Sequence, residues 1–206
     1  MTVLYEKLKV TDLNVYRISG PLDLTFFSKL PKFVPDRPDL KYAPFTPQPS
    51  PYFFGKKDVF SVIRQNDVIL NHPYESFDPV LELIKQASVD PQVLAIKQTL
   101  YRVSGQSPII AALALAVERG KQVMVLVELK ARFDEENNIQ WAKKLEQAGC
   151  HVIYGLVGLK THSKITLVLR KEDEGIMRYV HLGTGNYNDT TAKIYTDLGM
   201  FTCRSD

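Results

Sequence analysis

Apolar positions beyond residue 68 fall into short runs separated by longer amphipathic segments. Val68 to Asn71, Val93 to Leu100, Val123 to Leu129 and His151 to Tyr154 read as strands, with Val123 to Leu129 apolar almost throughout, as central strands are. Between them lie three helix patterns. Asp78-Pro79 opens the first, which runs to about Ser88 and ends before Asp90-Pro91. Ser107-Pro108 opens the second, which is apolar nearly all round and expected to be buried, with Gly120 as its stop. Asp134 caps the third, closed by Gly149. Strands alternating with helices in this way predict a parallel sheet with helices on its faces. The last third changes rhythm: Lys164 to Arg170 and Ile176 to Leu182 form a hairpin across an acidic turn, and Thr196 to Cys203 is a final strand. The expected fold is α/β, with a mixed but largely parallel sheet and helices on both faces.

The first part of the chain is different. Val15 to Ile18 reads as a short strand and Leu22 to Leu30 as a helix, and seven prolines then fall between Pro31 and Pro51. That density favours an extended connector. Residues 1–48 are therefore read as the end of an upstream unit plus a linker, too short to bury a core of their own, and residues 49–206 as one domain.

Composition narrows the function classes only slightly. The 206 residues are 45% hydrophobic and 24% charged, ordinary for a globular chain. A net charge of +3 is too mild to point to nucleic acid. Cys150 and Cys203 lack metal-ligand spacing and read as reduced thiols of a cytoplasmic protein. No signal peptide is visible, and the longest apolar run, Ile109 to Val117, is too short to span a bilayer.

Candidate chemistry clusters around Gly158 to Arg170, read as a loop entering a strand. Alternation puts Ser163, Ile165, Leu167 and Leu169 on one side, expected to seek the core. Lys160, His162, Lys164 and Thr166 fall on the other, expected to line a cleft that takes an anion. Flanking ammonium groups oppose a positive charge on the His162 ring and keep a lone pair for nucleophilic use. A surface histidine between solvated lysines is the plain alternative. Ligands of open α/β sheets bind beyond the carboxyl ends of the strands. His72, Tyr74 and Glu75, Tyr101 and Arg102, and Lys130 and Arg132 follow three such ends. Arg102 and Arg132 would grip phosphate oxygens with forked guanidinium donors. Gly183-Thr184-Gly185-Asn186 lets backbone approach a ligand closely, with Asn186 able to donate to a phosphate or orient the imidazole. No P-loop or three-glycine dinucleotide fingerprint occurs.

His162-x-Lys164 followed by Gly183-x-x-Asn186 resembles the half-motif of the phospholipase D superfamily, but Leu169 stands where that superfamily usually carries an aspartate. The longer text is narrower. Asn71 to Phe77, Lys97 to Arg102, Glu128 to Asp134, Gly158 to Lys164 and His181 to Asn188 resemble the first type of polyphosphate kinase. The resemblance covers about Tyr52 to Asp206 strongly and implies a phospholipase D-like catalytic half-domain, the first of two. The opening residues resemble the end of that family's helical domain. The resemblance further implies reversible transfer of the terminal phosphoryl group of ATP to inorganic polyphosphate, with His162 transiently phosphorylated. By the same resemblance Tyr195 contacts the nucleotide, and Arg102 and Arg132 stand at positions associated with magnesium. An arginine has no lone pair to give a metal, so such an association runs through phosphate or a backbone carbonyl. Lys160, Lys164 and the two arginines would offset charge on the moving group. The family's later, similar domain and its nucleotide-gripping amino-terminal domain are not in this text. The chain therefore reads as an internal piece of a longer, oligomeric enzyme, cytoplasmic or peripheral to a membrane, and inactive alone. Two other readings stand beside it: a phosphodiesterase or nuclease formed by pairing half-motifs, and a non-catalytic anion-binding module.

Overall fold

The computed structural model describes residues 2–43, 45–56, 58–104, 107–130, 135–155 and 158–205. It divides into two compact units after Phe45, three residues before the boundary expected at residue 48. In the first unit, α1 (Thr2–Leu8) and α2 (Phe26–Phe33) bury no side chain. Phe26 stacks on Phe33 with centroids 5.5 Å apart, an i to i+7 pair along one stripe of α2. Val15 to Ile18 forms no strand, and the helix starts later than the expected Leu22.

The second unit is built on a seven-stranded sheet. Its strands are β1 (Val68–His72), β2 (Val93–Leu100), β3 (Gln122–Val127), β4 (His151–Tyr154), β5 (Lys164–Glu172), β6 (Gly175–Gly183) and β7 (Asp197–Thr202). They lie in the order β1-β7-β6-β5-β2-β3-β4. Among these strands, β2–β3 and β3–β4 pair in parallel. The pairings β1–β7, β2–β5, β5–β6 and β6–β7 are antiparallel. The sheet is mixed, as expected, but mostly antiparallel rather than largely parallel. The reason is the hairpin β5–β6 and its follower β7, which insert between β1 and β2 and separate the two strands that the sequence places side by side.

Among the described residues, four α-helices accompany the sheet: α3 (Val59–Gln65), α4 (Asp78–Val89), α5 (Pro108–Glu118) and α6 (Glu135–Gln147). Helix α3, not foreseen, is capped by the Asp58 carboxylate, which accepts from the Phe60 amide at 3.0 Å, and buries Phe60 and Ile63. Helix α4 buries Val80, Leu83 and Ile84, one face at i, i+3, i+4 spacing. Its cap is Phe77, with Asp78 already inside the first turn. Helix α5 buries Ile109, Ile110, Leu113 and Ala116, as its apolar text requires. Gly120 follows with a φ of 78°, a left-handed value that glycine adopts without strain. The expected cap of α6, Asp134, lies outside the described residues.

These helices cover one face of the sheet. Val68, Leu70, Ile96, Val125, Val168, Tyr179 and Phe201 are buried on that side with the helical apolar residues. The opposite face stays open among the described residues: Ile69, Leu182 and Leu198 are exposed and Ile165, Leu167 and Leu169 half-buried. The expectation of helices on both faces is thus corrected. So is the facing of β5. Its covered side carries Lys164, Thr166 and Val168, at 4%, 0% and 0% exposure. The more apolar side, assigned above to the core, is the open one.

Candidate active site

The candidate residues that lie among the described ones, His162, Lys164, Asn186, Tyr195, Arg102 and Lys160, gather at one end of the sheet's strands. The carboxyl ends of β1, β2, β3 and β6 meet the starts of the antiparallel strands β5 and β7 there, with Lys164 opposite Gly183 and His72 opposite Asp197. A cavity of about 140 Å³ opens between them, lined among others by His162, Lys164, Asn186, Tyr195 and Asp197, with His72 and His181 at its floor. No helix is long and apolar enough to cross a membrane among the described residues.

His162 lies just before β5 and is exposed. Its ring meets the Tyr101 ring edge-on, with centroids 5.4 Å apart. The same tyrosine gathers three cations: Lys164 Nζ lies 5.3 Å, Lys160 Nζ 5.6 Å and the Arg102 guanidinium carbon 5.6 Å from its centroid. Such distances are within the range of cation–π attraction. Lys164 also donates to the carbonyl oxygen of His162. Burial pushes the Lys164 ammonium below its usual range, against the opposing pull of Asp197. Loss of hydration is the larger effect, and it leaves a cation poorly satisfied by water and ready for an anionic partner.

Beneath these groups is a buried polar floor. The Thr166 hydroxyl donates to Gln98 Oε1 at 2.7 Å. His72 Nδ1 meets the carbonyl oxygen of Glu75 at 2.9 Å, and His181 Nδ1 meets the Tyr187 hydroxyl at 2.8 Å. Each of these imidazoles keeps a buried Nε2 without a hydrogen-bond partner. Gly199 separates them. A Cβ there would lie 2.7 Å from His181 Nε2 and 3.4 Å from His72 Nε2. Burial, and next the charge of His72, push the His181 imidazole down to about 3.

The expected residues therefore come together unevenly. His162, Lys164, Asn186 and Tyr195 share the cavity, with Asn186 Oδ1 buried and without a hydrogen-bond partner. Tyr195 is 62% exposed, a ring free to stack on a planar ligand. Arg102 and Lys160 do not line it but join His162 through the Tyr101 ring. Lys160 instead borders a neighbouring depression with Lys130. Arg132 lies outside the described residues. The sequence does not single out the ring contacts of Tyr101 or the placing of His181 and Asp197 at this cavity. Tyr101 stood beside Arg102 in the motif, but its contacts come from Lys160, His162 and Lys164, some sixty residues on, and only the β2–β5 pairing reveals them.

The donor set does not fit a magnesium ion held by protein alone. Arg102 offers no lone pair. Among the described residues no cluster of three His, Cys, Asp or Glu side chains is placed to hold a metal. Asp197, the carboxylate in the cavity, already accepts from the Thr184 hydroxyl at 2.8 Å. The cations suit phosphate oxygens instead.

Residues 58–206 match the family model described as polyphosphate kinase C-terminal domain 1. The chain belongs to the polyphosphate kinase family. It is 60% identical over 207 residues to the polyphosphate kinase of Bacillus cereus, covering all of this chain and 30% of that protein. It superposes on the crystal structure of polyphosphate kinase from Porphyromonas gingivalis with a TM-score of 0.74 at 35% identity, covering 98% of this chain and 33% of the other. The chain thus spans about 30% of the length of the curated polyphosphate kinases it matches. NucT from Helicobacter pylori superposes with a TM-score of 0.50 at 17% identity over 68% of this chain and 86% of its own, a likeness of fold alone. The α/β class expected from the sequence is the one found, with a mixed sheet.

Proposed function

We propose that this chain is the nucleophile-bearing part of a polyphosphate kinase that moves the terminal phosphoryl group of ATP to inorganic polyphosphate through a phosphohistidine. The observation that carries this reading is the placement of His162. Its ring is exposed at a cavity mouth and flanked by Lys160, Lys164 and Arg102 around Tyr101. In the first half-reaction a ring nitrogen of His162 gives its lone pair to the terminal phosphorus. The bond from phosphorus to the bridging oxygen breaks, and ADP leaves with that electron pair. In the second, a terminal oxygen of polyphosphate attacks the same phosphorus and the phosphorus–nitrogen bond breaks, restoring the imidazole. Each half can run backwards.

Phosphoryl transfer depends chiefly on alignment and on neutralising charge over the non-bridging oxygens. Lys164, poorly hydrated and held against the His162 backbone, supplies positive charge beside the attacked phosphorus. Lys160 and Arg102 extend it outward, and Arg132 is given the same task by the family resemblance alone. Asn186 hydrogen-bonds a phosphate oxygen, and the exposed Tyr195 ring stacks on the adenine. Magnesium, on this reading, comes bound to the nucleotide's phosphates, which the arginines grip. The rest of the longer enzyme completes the site, so this chain alone transfers little phosphate.

The test is labelling of the full-length enzyme with ATP carrying a labelled terminal phosphate. Wild type takes up an acid-labile, base-stable label that His162→Ala abolishes. Label of unchanged amount in His162→Ala refutes the assignment.

A further inference from the structure

Glu128 is 4% exposed and sits directly after the last residue of β3, at the edge where the site is built. Its amide donates to the Leu100 carbonyl at 3.0 Å, and its carbonyl accepts from Asn138 Nδ2 at 2.8 Å. The carboxylate reaches further. Oε1 accepts from the Lys130 amide at 3.0 Å and Oε2 from the Thr161 amide at 2.8 Å. Asn138, 1% exposed on α6, also donates to the Tyr101 carbonyl at 2.7 Å. Two buried side chains therefore tie together three segments distant in sequence. One carries Tyr101 and Arg102, one carries Lys130 on the way to Arg132, and one carries Lys160 and His162.

The carboxylate has two oxygens and meets two amides, each by a charge-assisted bond stronger than a neutral one. Neither amide has a strand ladder to satisfy it, because Thr161 precedes β5 and Lys130 follows β3. His162 is exposed, and its described ring contact is the edge of Tyr101, so its position is set largely by its backbone. That backbone begins at the Thr161 amide.

We propose that Glu128 is a positioning residue that fixes the His162 segment against the phosphate-gripping strand ends. The proposal rests on the reading of His162 as the phosphorylated nucleophile. In the free chain the brace holds the ring beside Tyr101. In the full enzyme it keeps the nucleophile in line while Tyr195 holds the nucleotide.

The experiment has two arms. In this chain, amide hydrogen exchange is read by NMR for wild type, Glu128→Gln and Glu128→Asp. Glutamine can accept only one of the two amides and turns its own donors on the other. Aspartate keeps the charge but is one methylene too short to reach both. In both variants exchange at Thr161 or Lys130 rises at least about tenfold, as expected for an amide that loses its partner, while amides in β2 and β5 keep their protection. In the full-length enzyme the rate of phosphoenzyme formation falls about 100-fold, the scale of a misplaced reacting group, with nucleotide affinity unchanged within about twofold. Unchanged exchange at both amides overturns the brace. Faster exchange with an undiminished phosphorylation rate, or a wild-type rate in Glu128→Asp, overturns its role in positioning. If wild-type enzyme forms no phosphohistidine, the reading of His162 fails, and the exchange arm still decides the brace by itself.

Discussion

His181 should make this fold acid-sensitive. Its ring is 2% exposed, 4.7 Å from the Phe201 ring and bonded through Nδ1 to Tyr187. Burial, with His72 adding to it, holds the folded imidazole neutral down to about 3, against 6.5 for an ordinary histidine. Below pH 6.5 the unfolded chain binds a proton there that the folded chain refuses. Stability therefore falls as pH falls, by about 1.4 kcal/mol per unit for this one group, until about pH 3. The loss is about 2 kcal/mol by pH 5, a sizeable part of the ~5–15 kcal/mol that holds a typical domain together. Urea unfolding of this chain at pH 7, 6, 5 and 4.5 measures it. His181→Gln, which cannot take up the proton, is weaker at pH 7 but loses about 1.4 kcal/mol per unit less on acidification. A variant whose stability falls with pH as steeply as wild type refutes the reasoning, because the proton would then be bound elsewhere.

Three other outcomes follow from the geometry. Tyr101→Phe keeps the ring that three cations share, so phosphoenzyme formation in the full-length enzyme stays within about threefold of wild type. Tyr101→Leu, losing roughly 0.5–1 kcal/mol per cation, slows it about 10- to 100-fold, and a slow Phe variant would show that the hydroxyl, not the ring, matters. Gly199→Ala drives a methyl into His181 Nε2 and lowers the urea-derived stability by about 1–3 kcal/mol, whereas an unchanged midpoint would mean that the two imidazoles can part. Cys150 is buried with its thiol pushed up to about 11, so iodoacetamide at pH 8 leaves it unlabelled in the folded chain and labels it in urea; labelling without denaturant contradicts that burial.

The local grammar of the chain was legible. Asp-Pro and Ser-Pro starts, glycine stops and apolar periods placed α4, α5 and most strands to within two residues, since each depends on neighbours in sequence. What could not be read was which strand lies beside which. β5 pairs with β2 across some seventy positions, and no period within either strand records that. The facing of β5 failed for a related reason. Ile165, Leu167 and Leu169 form the more apolar side, but helices cover the other, where Thr166 finds Gln98 and the Lys164 ammonium finds the His162 carbonyl. Burial of a polar group is acceptable once it is paired, and the pairing partners come from elsewhere in the chain. The site was legible as far as its residue types went. His162, Lys164 and Asn186 do share a cavity, yet Glu128 falls within the expected strand Val123 to Leu129 and nothing local marks it, because one of the amides it holds lies thirty-three positions on.

The order of the strands also sets a timetable for synthesis. β1 emerges from the ribosome early but finds its neighbour only in β7, where Val68 pairs with Phe201 and His72 with Asp197. Until then β1 has no strand partner, and the wall that His72 and Asp197 build together does not exist. Pairings so far apart along a chain close late and slowly. A nascent chain halted before Asp197 would carry every cation around Tyr101 and still have no pocket.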